Sequence, residues 1–168
     1  MSKNPENGWI LFDGKIWELI DEEDYDDIVL DYRSGHFSGE YGEETIKIFN
    51  SYASSKQIFI IDGCHAGGVI KPSQLLRKGR IILASSAANE YSYASSRLGM
   101  GVFTYYLIQG LEGKADGYPT PEGSIRDGWV SAEEAFYYAA PLTTQYRSDQ
   151  HPQIYDGIEG QVPLVKVK

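Results

Sequence analysis

The chain has one cysteine, Cys64, few histidines, and no apolar run long enough to cross a bilayer. A single cysteine can form neither an internal disulfide nor a thiolate zinc cage, which excludes disulfide-stapled scaffolds and zinc fingers. The thiol is expected to be reduced. Cations are also scarce: 15 Lys and Arg stand against 24 Asp and Glu, for a formal net charge of −9. No Lys/Arg cluster offsets that balance locally, so a nucleic-acid partner is not expected, nor is a membrane. An acidic surface suits cationic ligands such as Lys- or Arg-containing peptides, although keeping a protein in solution is its commoner meaning. The opening residues Met1 to Gly8 lack the charged-then-apolar layout of a secretory signal, giving the expectation of a cytoplasmic protein.

A chain of 168 residues, 42% of them hydrophobic, fits one domain with a sizeable core, and no internal repeat or linker divides residues 1–168. Trp9-Ile10-Leu11-Phe12, Asp13-Gly14 and Lys15-Ile16-Trp17 read as a hairpin, because Asp-Gly supplies the positive φ of a two-residue turn. The run from Asp27 to Tyr32 has strand composition and stops at Ser34-Gly35-His36. Ile46, Phe49 and Tyr52 recur at helical spacing within Glu43 to Tyr52.

Gln57 to Ile61 is a short uninterrupted apolar run, the mark of a central strand covered on both faces, and Cys64 lies just beyond it. Arg80 to Ser86 repeats that pattern and is expected to be the neighbouring parallel strand. Gly101 to Leu111 reads as a largely buried helix ending at Gly113, and Asp116 to Gly128 as a loop. Ser131 and Glu134 form a capping-box pair opening a helix to about Ala140; Gln161 to Val167 reads as a last edge strand.

Strands alternating with helices predict an α/β fold, a three-layer sandwich around a mainly parallel sheet. Ligands bind such sheets beyond the carboxyl ends of the strands, and His36, Cys64, Ser85 and Ser86 all fall at predicted ends of that kind.

A cysteine nucleophile needs a base to hold it as thiolate and backbone donors for the oxyanion. His36 can supply the first, and the turns allowed by Gly35, Gly63, Gly67 and Gly68 can supply the second. A lone cysteine after an apolar strand is more often a small buried hydrophobe, and a lone histidine there is usually structural. Adjacent side chains on an extended segment point apart, which disfavours His65 as the base, and His151 before Pro152 reads as a surface residue. Thiol phosphatase chemistry is excluded, since the position six residues after Cys64 is Ile70 rather than arginine. The hydrolase elbow is absent too, because Asp62 and Ala66 occupy its glycine positions.

Ile60-Ile61-Asp62-Gly63-Cys64-His65-Ala66-Gly67-Gly68 resembles the Asp-x-Cys-His-Ser-Gly motif of metacaspases, with Ala66 in place of serine. Asp27 to His36 is similar to the strand that leads to the Ser-Gly-His-Gly of caspase-like peptidases. Ile82 to Tyr93 resembles their pocket-bordering strand and loop, and Gly101-Val102-Phe103-Thr104 the helix start that follows. The resemblance, to the caspase-like cysteine peptidases that include metacaspases, legumains and bacterial relatives, covers roughly residues 27 to 155.

It implies a caspase-like sheet and a cysteine endopeptidase with Cys64 as nucleophile, His36 as general base, and an oxyanion hole from the N–H groups of Cys64 and Phe37. Asp62 would line the pocket for the residue before the scissile bond and confer cleavage after Arg or Lys, with Ser85, Ser86 and Glu90 on its wall. No cofactor or metal is implied, and a calcium requirement is not legible in the residues.

Two departures accompany the match. Phe37 stands where the family has glycine, and residues 1–26 are too short to hold in full the strands that precede the histidine strand, which implies a sheet truncated on its N-terminal side. Gly8 to Ile16 also resembles the hairpin that follows the catalytic histidine in bacterial relatives, a reading in which the base is lost and His36 is a coincidence. Two classes therefore stay open. One is an active peptidase acting on a peptide or protein substrate. The other is a non-catalytic caspase-like module, a pseudopeptidase or an incomplete unit completed by a partner segment or a second copy.

Overall fold

The computed structural model describes residues 9–12, 16–17, 50–51, 55–70 and 75–167. The predicted strand Asp27 to Tyr32, and with it His36 and Phe37, lies outside the described residues, as does most of the predicted helix Glu43 to Tyr52, of which Asn50 and Ser51 are helical.

Strand β1 (Trp9–Phe12) pairs antiparallel with β2 (Ile16–Trp17), Leu11 opposite Trp17 and Phe12 opposite Ile16, so the expected strand pair forms but in a register that leaves three residues between the strands rather than the expected two. Next along the chain come β3 (Gln57–Ile61), a 3₁₀ turn over Ala66–Ile70, and β4 (Arg80–Ala84). β5 (Ala94–Ser95) and β6 (Met100–Gly101) form a small ribbon that leads into helix α1 (Val102–Gln109). β7 (Trp129–Ser131), α2 (Ala132–Tyr146), β8 (Gln153–Asp156) and β9 (Pro163–Lys166) complete the order.

The main sheet runs β2-β1-β3-β4-β8. β1 with β3 and β3 with β4 are parallel, whereas β1 with β2 and β4 with β8 are antiparallel. The fold is thus α/β, but the expected mainly parallel sheet is a mixed one, with a parallel centre and antiparallel margins. The edge position beside β4 belongs to β8. The tail, expected as a last edge strand, forms β9, which pairs with β7 in a separate two-stranded ribbon. Alternation in so short a segment gives a strand but not its partner, so the pairing with β7 carries no signal in the tail itself.

β3 and β4 are buried along their whole length. Their side chains alternate between two cores, as strand geometry dictates. Ile58, Ile60, Ile81 and Leu83 meet Phe103 and Leu107 of α1 and Ala135, Phe136 and Ala139 of α2. Phe59, Ile61, Ile82 and Ala84 face the opposite way, onto Ala66, Val69 and Leu75.

The capping box of α2 forms as expected: Glu134 N–H donates to Ser131 Oγ at 3.0 Å and Ser131 N–H donates to Glu134 Oε2 at 2.9 Å. The helix does not stop near Ala140 but passes through Pro141 to Tyr146. Proline removes one ladder bond, yet buried Thr143, whose Oγ1 donates to Ala139 O at 2.9 Å, and the Tyr146 ring against Tyr106 hold the last turns. α1 keeps helical winding into a π turn over Gly110–Lys114, within which Gly113 departs from helical geometry at φ 112°.

Among the described residues no helix is long and apolar enough to cross a membrane.

Candidate active site

The chain leaves β3 at Ile61 and turns sharply at its carboxyl end. Asp62 is buried, Gly63, Cys64 and His65 are half-buried, and Ala66 and Gly67 are buried again. The turn comes from His65, which adopts φ 61°, a left-handed backbone that no other described non-glycine residue shows. Cys64 thus stands at the crest of a loop rather than inside the core, and the small-buried-hydrophobe reading does not describe its place.

The floor under this loop is the end of β4. Gly63 N–H donates to Ser85 Oγ at 3.0 Å, and Ser86 Oγ donates to Gly63 O at 3.1 Å. His65 N–H donates to Glu90 O, Gly67 N–H to Ser86 O, Ala66 N–H to Gly63 O and Gly68 N–H to His65 O. Gly67 is needed because a Cβ there would lie 2.8 Å from Ser86 O and 2.9 Å from Ala88 N, both rigid backbone atoms. Of the N–H groups from Gly63 to Gly68, that of Cys64 alone has no acceptor among the described residues.

The Cys64 thiol donates to Ser92 O at 3.6 Å. Its sequence neighbour His65 is turned aside, though not for the reason expected, since the segment is a turn and not extended. The imidazole Nδ1 lies 3.1 Å from Ala88 O, an acceptor, so Nδ1 carries the proton; the ring also meets Tyr91 edge-on at 5.2 Å.

Asp62 is 4% exposed. Its Oδ1 accepts from Ser92 Oγ at 2.6 Å and its Oδ2 accepts from Thr104 Oγ1. A Cβ on Gly101 would run into Oδ2, so glycine there lets the start of α1 close onto the carboxylate. The Asp-x-Cys and Gly-x-Phe-Thr motifs, far apart in sequence, are therefore two halves of one contact. A carboxylate at a helix start also meets the positive end of the helix dipole.

Of the residues expected on a pocket wall, Ser85 and Ser86 are fully buried, with hydroxyls engaged by Gly63. Glu90 is half-buried and holds two segments together. Its Oε2 accepts from Ala87 N–H at 3.2 Å and from His151 N–H at 2.7 Å, and its Oε1 accepts from His151 Nδ1 at 2.6 Å. Burial works against the charge on Glu90, but the His151 N–H and imidazole and the Ala87 N–H outweigh it and hold the carboxyl below its ordinary range. His151, expected as a plain surface residue, is half-exposed and forms this pair.

Three residues not singled out for the site complete it: Ser92, Thr104 and Gln150. Ser92 and Thr104 sit inside the quoted motifs and were legible as neighbours. Gln150 carries no sequence signal.

No protein-family model matches the chain, and no curated protein matches it.

Proposed function

We propose that the chain is a caspase-like cysteine endopeptidase domain, a sandwich built on this sheet, that cuts after Arg or Lys with Cys64 as nucleophile. The observation that carries the reading is the unspent N–H of Cys64, half-exposed at the carboxyl end of a central parallel strand where every neighbouring loop N–H is engaged. An N–H held ready beside a thiol is what a tetrahedral oxyanion requires. In this reading His36 takes the thiol proton, the thiolate adds to the scissile carbonyl, and the oxyanion is received by the N–H groups of Cys64 and Phe37. The amine leaves with the proton, and water hydrolyses the thioester. Asp62 supplies the preference for a cationic side chain, with Glu90 on the pocket wall and the buried Ser85 and Ser86 bracing the loop from beneath rather than facing the substrate.

A second reading, the non-catalytic module, is favoured by a different observation. Both edges of β3 are occupied, by β1 and β4, and β1 ends at Phe12, followed by Asp13 and Gly14 rather than by histidine. A dyad built on adjacent strand ends would draw its base from that place.

Fluorogenic peptides ending in Arg, Lys, Asn or Asp, assayed with and without calcium, separate the two. Cleavage after Arg or Lys that is abolished by both Cys64→Ala and His36→Ala is the expected result. Loss with Cys64→Ala alone places the base elsewhere, and no cleavage of any peptide overturns the peptidase reading in favour of the module.

A further inference from the structure

Gln150 lies in the turn after α2, is fully buried, and has every polar group engaged. Its N–H donates to Arg147 O at 3.0 Å and its carbonyl accepts from Thr144 Oγ1 at 2.9 Å, which fixes the backbone. The side-chain amide reaches away from its own segment to the candidate site: Nε2 donates to Ser85 O at 2.9 Å and to Ser92 Oγ at 3.2 Å, while Oε1 accepts from Tyr93 N–H at 3.1 Å.

The orientation of that amide is not arbitrary. Tyr93 N–H can only donate and Ser85 O can only accept, so the oxygen must face Tyr93 and the nitrogen Ser85. With the nitrogen so placed, the Ser92 hydroxyl accepts from it. Ser92 has one proton, and Asp62 Oδ1 stands 2.6 Å away to receive it. The direction of donation therefore runs from Gln150 through Ser92 to Asp62. The same residue, Ser92, presents its carbonyl to the Cys64 thiol. One side chain from the far end of the fold thus sets a residue that touches both the thiol and the carboxylate beside it.

We propose that Gln150 and Ser92 form a positioning couple for the reaction assigned above. In it Gln150 fixes the polarity of the Ser92 hydroxyl, which holds the Asp62 carboxylate in place while the Ser92 carbonyl holds the thiol. The proposal rests on the reading of Cys64 as nucleophile and adds Ser92, whose carbonyl meets the thiol, and Gln150, which acts through Ser92.

The test is a double-mutant cycle with Gln150→Glu and Ser92→Ala, read out in the full chain by two measurements. One is kcat/KM on an Arg peptide. The other is the rate of Cys64 alkylation by iodoacetamide as a function of pH, which needs no peptidase activity. Gln150→Glu keeps the acceptor for Tyr93 N–H but cannot donate, so the Ser92 proton turns toward the introduced carboxylate and leaves Asp62.

The expected result is a loss of about tenfold in kcat/KM and a rise in the pH midpoint of alkylation. In the Ser92→Ala background the same change should cost less than about twofold. Ser92→Thr, which keeps the hydroxyl, should restore activity, and should Gln150→Glu fail to fold, Ser92→Ala against Ser92→Thr decides alone. Equal losses in both backgrounds, or a Ser92→Ala chain indistinguishable from the parent, overturn the couple. If the parent cuts no peptide, the functional reading fails, while the alkylation cycle still accepts or rejects the couple.

Discussion

The two ends of β3 and β4 are built from the same strands and put to opposite uses. At the amino end Gln57 faces Arg80 across the parallel ladder, and both are buried. Arg80 Nε and Nη2 donate to Gln57 Oε1 at 2.9 and 2.6 Å, Nη1 donates to Leu75 O at 2.9 Å, and the guanidinium lies 5.0 Å from the Phe59 ring centre. Burial lowers the Arg80 pKa to about 10, which still leaves it charged at neutral pH. At the carboxyl end the N–H groups of the loop from Gly63 to Gly68 all find acceptors among the described residues except that of Cys64. Polar groups buried at one end close the sheet, and those at the other brace a loop with a single donor left over. Satisfying every group stabilises a fold, whereas a donor left open at the surface is free to meet water or a ligand's oxygen.

Arg80→Ala should break the closed end and leave the open one. It strands Gln57 Oε1 and Leu75 O without these donors, for an expected loss of about 3 kcal/mol in urea unfolding. Cys64 alkylation below the transition should change by less than about twofold. A large change in thiol reactivity would mean the two ends are not separate.

Gly67→Ala attacks the open end. The new methyl meets backbone of Ser86 and Ala88, so the loop must move, for an expected loss of about 2 kcal/mol together with a shift in alkylation rate. Unchanged stability would show that the loop has room.

The smallest effect concerns a carboxyl at neither end. Glu133 is buried on α2, its Oε2 accepts from Val162 N–H at 2.9 Å, and its Oε1 has no partner among the described residues. Burial raises its pKa above the ordinary carboxylate range. The folded state therefore holds a proton that the unfolded chain has released, and stability falls as pH rises from that range through the raised value. Glu133→Gln removes this fall. Its melting temperature should exceed the parent's by a margin that widens from pH 4 to pH 7, by the equivalent of about 1 kcal/mol or less. A margin independent of pH would count against a buried, proton-holding Glu133.

The buried strands and the capping box were legible because each is a local pattern: an uninterrupted apolar run, or Ser and Glu at fixed spacing. The place of Cys64, on a loop just past a strand, was legible because glycines surround it and an apolar run precedes it. Strand partners were not, since β8 and β9 are short and mostly exposed, with no unbroken buried run to mark β8 for the main sheet and β9 for the ribbon. The end of α2 was misjudged at Pro141, where tertiary packing outweighs one missing ladder bond. Gln150 was invisible for a deeper reason. Its importance lies in what it touches across the fold, and a glutamine in a polar turn looks like any other.

The reach of Gln150 and His151 back to residues 85–93 has a consequence for synthesis. A nascent chain that has emerged only through α1 already contains Cys64, Asp62, Ser92 and Thr104, but neither the amide that orients Ser92 nor the imidazole that anchors Glu90. The surroundings of the thiol are therefore assembled only once residues 150 and 151 have been made, and a ribosome stalled before Gln150 holds a chain whose thiol has no finished setting.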